Sequence, residues 1–133
     1  MENRHMGDAL GIEMINIGEG VVTATMPVDH RTCQPWGYLN GGASLALAEM
    51  MAGFGSQPLC APDEIPCGIQ VSANHVGMVR TGCKVTGTAH LVHRGKTLHV
   101  WNVDIKAPDG RLVSTARITN QILKKRQEEG HEE

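Results

Sequence analysis

The sequence predicts an α+β domain in which one antiparallel sheet wraps around a single central helix. Three observations lead to this prediction: one helical segment is apolar nearly all round, several strand-like segments are joined by short turns, and 133 residues suffice for one core but not for two. Strands joined by hairpins form an antiparallel sheet. A helix that is apolar on nearly every side needs such a sheet around it.

The first two strands are predicted on either side of a tight turn at residues 18–20. They lie in the segment GIEMINIGEGVVTATMPVD, in which every second residue from position 22 to position 28 is apolar. This period of two is typical of a strand with one buried face and one wetter face.

The helix is predicted over residues 41–54, after a loop at 29–40. A second loop over GSQPLCAPDEIP follows, because three prolines fall within twelve residues. The turn Ala-Pro-Asp-Gly precedes the last strand, since Pro presets φ and Gly accepts positive φ. The later strands are expected at residues 68–79, 84–93, 97–106 and 111–123.

Composition and charge argue against several classes of protein. A net charge of −2 with neutral histidines disfavours a general nucleic-acid-binding protein. No apolar run approaches the ~20 residues of a membrane span, and the first residues lack the apolar core of a signal peptide. We therefore expect a soluble, cytoplasmic protein with free cysteine thiols. One domain is expected over residues 1–123, followed by a charged, disordered tail over 124–133.

Glu49 is the most informative residue of the predicted helix. The residues three, four and seven positions away share its helical face, and all are small or apolar. A carboxylate in such surroundings must be hydrogen-bonded, protonated or open to a cleft. Either Glu49 lies at the solvent edge of the helix, or it lies in an apolar cleft and serves as a general base or nucleophile of tuned pKa.

A pair of glycines, Gly41 and Gly42, opens the helix. The first N–H groups of a helix are unpaired and carry partial positive charge, and glycine lets a ligand approach them closely. One of these two N–H groups can therefore bind a developing oxyanion. A plain entry turn explains the pair equally well.

The stretch P-V-D-x-R-x-x-Q-P-x-G-x-L-x-G-G-A-S-x-A-L-A-E resembles the acyl-CoA thioesterases of the hotdog fold. The most similar branch hydrolyses aromatic acyl-CoAs such as 4-hydroxybenzoyl-CoA and 1,4-dihydroxy-2-naphthoyl-CoA, and is close to the phenylacetate-pathway thioesterases. The resemblance covers residues 8–122. It implies a small-molecule acyl-CoA substrate, no metal or redox cofactor, and a homodimer or homotetramer in which Glu49 of one subunit faces strand residues of the other.

The resemblance also implies roles for individual residues. Glu49 matches the catalytic carboxylate, Gly41 the backbone N–H that polarises the thioester carbonyl, and Gln34 a side chain near that carbonyl. Asn40 stands where the family usually has histidine, so it can orient the carbonyl but cannot titrate. Positions that match contacts to the substrate or to the coenzyme A arm are Gly68, His75, Val76, Gly77, Met78, His93, Arg94, Gly95, Lys96 and Thr97.

Other departures from the family pattern leave the activity open. Gly53 replaces a Ser or Thr that can orient water. Gly77 and Met78 replace a basic residue and a proline, so a positive charge is lost at this strand. Arg80 is a candidate to replace that charge. These changes indicate a different acyl group, a slower enzyme or lost catalysis. Two alternatives therefore remain: a hotdog hydratase or dehydratase, disfavoured by the absence of His at position 40, and a non-catalytic acyl-CoA binding or sensing module.

Several other residues have a structural and a functional interpretation. Trp36 and Met78 either line the acyl pocket or simply pack, whereas Met50, Met51 and Phe54 are expected in the core or at a dimer contact. The histidines at 90, 93 and 99 are not expected to bind a metal, because residues three apart on a strand point to opposite faces and no Cys or carboxylate completes a set.

Overall fold

The computed structural model describes residues 4–126, and within them the chain forms two α-helices and six β-strands. The last strand includes Lys124, the first residue of the predicted tail; residues 127–133 of that tail lie outside the described range. The elements are α1 Met6–Leu10, β1 Glu13–Gly18, β2 Val21–Val28, α2 Gly41–Ser56, β3 Glu64–His75, β4 Cys83–Arg94, β5 Leu98–Lys106 and β6 Leu112–Lys124.

The six strands form one antiparallel sheet in the order β1-β2-β4-β5-β6-β3. Every strand contacts α2, which lies on the concave side of the sheet as its central helix. The predicted α+β architecture is therefore confirmed. Strands β1 and β3 form the two edges, and the free edge of β3 borders the region in which the candidate site lies.

The core lies between α2 and the inward side chains of the strands. On β2, Val22, Ala24, Met26 and Val28 are fully buried, as the period-two pattern predicted. Trp101 of β5 is the largest fully buried side chain. Its ring packs against the backbone of α2 at a glycine, which lets the helix lie close to the sheet.

The loop predicted after the helix is wrong at both ends. Helix α2 continues to Ser56 and is followed by a 3₁₀ turn, Gln57–Leu59, and β3 already begins at Glu64. Pro66 is tolerated inside β3 because an edge strand leaves one row of N–H positions without a partner strand.

Strand β3 also ends earlier than predicted, at His75 instead of residue 79. The N–H groups of Val76 and Gly77 both donate to the backbone oxygen of Val113, at N···O distances of 2.8 and 3.1 Å, which ends the regular ladder. Helix α1 was not predicted, because its five residues are too few to show a helical period.

Two further observations concern the chain as a whole. Across residues 4–126, neither helix has both the length and the apolar character needed to cross a membrane. The four cysteines, all within the described range, are unpaired, as predicted.

Candidate active site

An open cavity of about 520 Å³ lies between the outer face of α2 and the first half of β3. Its volume falls in the range of small-molecule sites, which are mostly apolar with a few polar groups. Glu49, Gln57 and Asn120 supply the polar side chains. The lining residues are Met6, Ala46, Glu49, Met50, Gly53, Phe54, Gln57, Ile65, Pro66, Gly68 and Asn120.

The Glu49 carboxylate lies against the backbone of β3 at Gly68. A Cβ atom added at Gly68 would overlap Glu49 Oε2 and would lie 3.2 Å from Glu49 Cδ, so this approach requires glycine. The side chain of Glu49 is exposed in the single chain, but it borders the cavity and does not point away from it. Glu49 therefore lies at the rim of a cleft and is open to solvent, and its role as general base or nucleophile stays a prediction.

The start of α2 leaves one backbone amide free. Asn40 caps the helix: its Oδ1 accepts a hydrogen bond from the Gly42 N–H, and its backbone oxygen accepts one from the Ala43 N–H, at N···O distances of 2.8 and 3.0 Å. Within residues 4–126, no acceptor is bonded to the Gly41 N–H. Of the two glycine amides considered from the sequence, only that of Gly41 remains available to a ligand.

His75 lies directly beside this free amide. A Cβ atom added at Gly41 would lie 2.6 Å from both Cδ2 and Nε2 of the His75 ring, so the close approach again requires glycine. His75 Nδ1 is 2.8 Å from the Oγ atom of Ser114, which is fully buried and holds the ring in place. One predicted substrate-contacting residue is thus brought next to the predicted oxyanion donor.

Glu49 and Gly41 do not meet within one chain. They are eight residues apart on α2, which corresponds to about 12 Å along the helix axis. A single thioester carbonyl cannot contact both groups at that separation. If both groups act on one carbonyl, as the resemblance implies, the chain carries two half-sites, one at Glu49 and one at Gly41.

Gln34 and Arg80 lie away from the Glu49 cavity. Gln34 Oε1 accepts hydrogen bonds from the backbone N–H groups of Trp36 and Tyr38, at 2.7 and 3.3 Å, and so organises its own loop. The Arg80 guanidinium lies 5.2 Å from the centroid of the Tyr38 ring. Arg80 therefore does not supply a charge beside Glu49 in this chain.

Trp36 and Met78 do not line the cavity either. Their side chains are 77% and 61% exposed, respectively. The apolar wall near Glu49 comes instead from Met50 and Phe54 of α2, which the sequence assigned to the core or to a dimer contact.

The turn between β4 and β5 lies at the C-terminal end of α2. Arg94 Nη2 donates to the backbone oxygen of Leu59, at 3.2 Å, and Leu59 ends the 3₁₀ turn that begins with the cavity residue Gln57. The turn closes through a bond from the Gly95 N–H to the Leu98 oxygen, and its other members are exposed. This arrangement places the Arg94 side chain near the cavity that holds Glu49.

A buried polar cluster under the cavity was not found from the sequence. Ser56 Oγ lies 2.8 Å from Trp101 Nε1, 2.8 Å from His99 Nδ1 and 3.1 Å from Asn120 Nδ2. Burial lowers the pKa of His99 below its ordinary value. These residues come from three different elements and share no local motif, so only the fold brings them together.

The fold and the site together define a class of protein. The antiparallel sheet around one helix is the hotdog fold, and a carboxylate in a mainly apolar cavity is suited to act as nucleophile or general base on a carbonyl. The chain belongs to the thioesterase superfamily: the family model described as Thioesterase superfamily matches residues 36–114. It is a thioester hydrolase.

Individual relatives agree with this assignment. A 1,4-dihydroxy-2-naphthoyl-CoA hydrolase of Listeria monocytogenes is 36% identical over 90% of this chain and 96% of its own. A thioesterase structure from Haemophilus influenzae is 37% identical, with a TM-score of 0.87 over 96% of this chain and 88% of that one. A Streptococcus pneumoniae protein, described as a hypothetical thioesterase and solved with coenzyme A, is 25% identical, with a TM-score of 0.80 over 90% and 92% of the two chains.

Proposed function

We propose that the protein hydrolyses an acyl-CoA thioester to the free acid and coenzyme A, with Glu49 as the reacting carboxylate. The observation that supports this most directly is the position of Glu49 in a mainly apolar cavity of about 520 Å³, against the Gly68 backbone. Such a cavity suits an acyl group, and the carboxylate borders the place that its carbonyl would occupy.

Two routes use the same carboxylate. Glu49 attacks the thioester carbon and forms a mixed anhydride that water then hydrolyses, or it removes a proton from water that attacks the same carbon. In both routes the thiolate of coenzyme A leaves, and the negative charge that develops on the carbonyl oxygen needs a donor. The free Gly41 N–H, at the positive end of α2, is the proposed donor.

Asn40 and Gln34 assist this reaction indirectly. By capping α2 with its side chain, Asn40 occupies the Gly42 amide and leaves that of Gly41 for the substrate. Gln34 orders the loop that precedes the helix. The proposed chemistry requires no metal or redox cofactor, because coenzyme A enters and leaves as part of the substrate.

The two half-sites are completed by a second copy of the chain. Gly68, beside Glu49, and His75, beside Gly41, lie seven residues apart on the edge strand β3. Antiparallel pairing of β3 with its copy brings the His75 end of one chain near the Gly68 end of the other. The second copy's Gly41 then approaches Glu49. We propose this homodimer, with further pairing into a tetramer.

We propose that the substrate consists of an aromatic acyl group joined to coenzyme A. The Listeria relative's name, a 1,4-dihydroxy-2-naphthoyl-CoA hydrolase, supports an aromatic acyl group, and the coenzyme A in the Streptococcus pneumoniae structure supports the arm. Arg94 and Lys96, on the turn near the cavity, supply positive charge for its phosphates.

The test is thiol release from a panel of aliphatic and aromatic acyl-CoAs by the wild type, Glu49→Gln and Glu49→Ala. Because the carboxylate is required in both routes, each variant should lose at least about 10³-fold in kcat. Glu19→Gln, in the exposed turn between β1 and β2, is the matched control and should retain full activity. Undiminished release by Glu49→Ala would contradict the mechanism, and tight acyl-CoA binding without release by the wild type would support a sensing module instead.

A further inference from the structure

Asn120 is a buried amide in the wall of the cavity that holds Glu49. It lies on β6, its residue is 1% exposed, and it lines the same cavity as Gly53 and Gln57. A buried amide is normally hydrogen-bonded through both its nitrogen and its oxygen. The partners of the two atoms therefore indicate what the residue does.

The neighbours of Asn120 fix which of its two atoms faces the helix. Asn120 Nδ2 lies 3.1 Å from the backbone oxygen of Ala52 and 3.1 Å from Ser56 Oγ. The Ala52 oxygen can only accept a hydrogen bond, so the nitrogen must face α2. No donor within residues 4–126 is bonded to Oδ1, and no side-chain oxygen or nitrogen in that range is both fully buried and unpaired. The oxygen therefore opens onto the cavity.

The surrounding cluster prevents the amide from turning over. The Trp101 indole can only donate, so Ser56 Oγ accepts from Trp101 and from Asn120. The hydroxyl hydrogen of Ser56 is then left for Nδ1 of His99. All four residues are at most 3% exposed. Rotation of the Asn120 amide would break two hydrogen bonds in a dry environment, so Oδ1 is a fixed acceptor.

Along the axis of α2, the separation of this acceptor from Glu49 is comparable to the size of an aromatic acyl group. The two helix residues that hold Asn120 follow Glu49 by three and seven positions, which places the acceptor about 7 Å further along α2. That is roughly the reach of one aromatic ring with a substituent opposite the thioester. Gly53 lies between the two groups, and no heavy atom is within 4 Å of a Cβ added there, so the path is open.

We propose that Asn120 is a specificity-determining residue that selects acyl groups carrying a hydrogen-bond donor, a hydroxyl or an amide N–H, at the end remote from the thioester. This proposal rests on the proposed acyl-CoA hydrolysis. An acyl group with a donor satisfies Oδ1. An acyl group without a donor displaces water from Oδ1 and leaves this oxygen without a hydrogen bond. The free-energy cost of that unpaired oxygen discriminates against such a substrate.

The experiment compares kcat/KM for 4-hydroxybenzoyl-CoA, 4-fluorobenzoyl-CoA and 4-methoxybenzoyl-CoA, of which only the first has a donor. The wild type should prefer the hydroxyl substrate by at least about tenfold. Asn120→Ala should bring this ratio close to one. The matched control Asn102→Ala, on the outward side of β5, should leave the ratio unchanged. Because the ratio is taken within each variant, a general loss of stability or activity does not alter it.

The outcomes separate this proposal from the proposed function. Equal hydrolysis of the three substrates by the wild type would overturn the role of Asn120 while leaving thioester hydrolysis intact. Survival of the preference in Asn120→Ala would do the same. If Asn120→Ala does not fold, the wild-type ratio and that of Asn120→Ser decide. Absence of thiol release from every acyl-CoA would overturn the proposed function, and this proposal with it.

Discussion

Two glycines determine where the functional groups of this chain can lie. At Gly68 the absence of a side chain lets the Glu49 carboxylate reach β3, and at Gly41 it lets the His75 ring lie against the start of α2. Neither glycine has a positive φ. Glycine is therefore needed at both positions because a neighbouring side chain lies so close, and not because of the backbone conformation. Substitutions at these sites therefore act by displacing a neighbouring group, which makes matched pairs of variants informative.

Replacement of Gly41 separates the effect of the amide from that of added bulk. Gly41→Pro removes the N–H at a position whose backbone suits proline, because Gly41 is the first helical residue and Asn40 is extended. The added Cβ displaces the His75 ring. Gly41→Ala adds the same Cβ near His75 but keeps the N–H. If the amide stabilises the oxyanion, kcat of Gly41→Pro should be about 10²–10³-fold below that of Gly41→Ala. Equal kcat values would exclude this amide as the donor.

Buried His99 should make the stability of the protein depend on pH. Burial lowers the pKa of the folded imidazole below its ordinary value of 6.5. As the pH falls through that value, the unfolded chain takes up a proton that the folded chain does not. The free energy of unfolding is therefore unaffected by His99 well above pH 6.5 and decreases below it, until the lower folded pKa is reached.

Urea denaturation at pH 7.5, 6.5 and 5.5 measures this effect. For the wild type, His99 should add a slope that approaches at most about 1.4 kcal/mol per pH unit on the acid side. His99→Gln should be less stable throughout, because it disturbs the Ser56 cluster, but should lack that added slope. His90→Gln, on the exposed side of β4, should keep the wild-type slope. Parallel pH profiles for the wild type and His99→Gln would contradict this account.

At the scale of elements, two glycines near the end of α2 should respond oppositely to alanine. No heavy atom lies within 4 Å of a Cβ added at Gly53, whereas one added at Gly55 would lie 2.6 Å from Trp101 Cη2 and 2.8 Å from Val22 Cγ2. Gly53→Ala should raise the free energy of unfolding by about 0.5–1 kcal/mol, since alanine favours a helix. Gly55→Ala should lower it by about 1–3 kcal/mol through overpacking. Urea unfolding of both variants checks the signs, and a stabilised Gly55→Ala would show that α2 does not pack tightly against β5.

The elements with the strongest local patterns were predictable from the sequence. The start of α2 followed from the glycine pair, and the hairpins followed from alternation and turn residues. The start of β3 did not, because Pro66 is a loop signal in most contexts and only the strand's place at the sheet edge makes it acceptable. Edge position is a property of the whole topology, which local pattern cannot supply.

The candidate site was predictable only in part, for a similar reason. Glu49 and Gly41 lie in one contiguous motif, so their likeness to a family could be seen in the sequence. Asn120, Ser56 and His99 come from β6, α2 and β5, and an isolated polar residue in an apolar strand does not reveal its partners. Contacts between residues far apart in the sequence bring these polar side chains together in the cavity wall.

At the scale of the whole molecule, the proposed site is incomplete in a single chain. Glu49 and the Gly41 amide are about 12 Å apart along one helix, and the edge strand that links their two neighbourhoods has no partner strand on its outer side in the described residues. The proposed two-fold pairing of β3 with its copy accounts for both facts. This pairing would also shield the exposed Glu49 from bulk water, which would strengthen the electrostatic interactions inside the proposed site.

Mixed dimers test this arrangement directly. Two differently tagged chains are co-expressed, one carrying Glu49→Ala and the other Gly41→Pro, and the mixed dimer is purified through both tags. If each site combines Glu49 of one chain with Gly41 of the other, one of its two sites is intact, and thiol release should recover to about half of the wild-type value. Each homodimer alone should remain nearly inactive.

The control pairs a wild-type chain with a chain carrying both substitutions, which spoils both shared sites and should be inactive. If each site instead lay within one chain, the two results would be reversed: the first mixed dimer would be inactive, and the control would retain half of the activity.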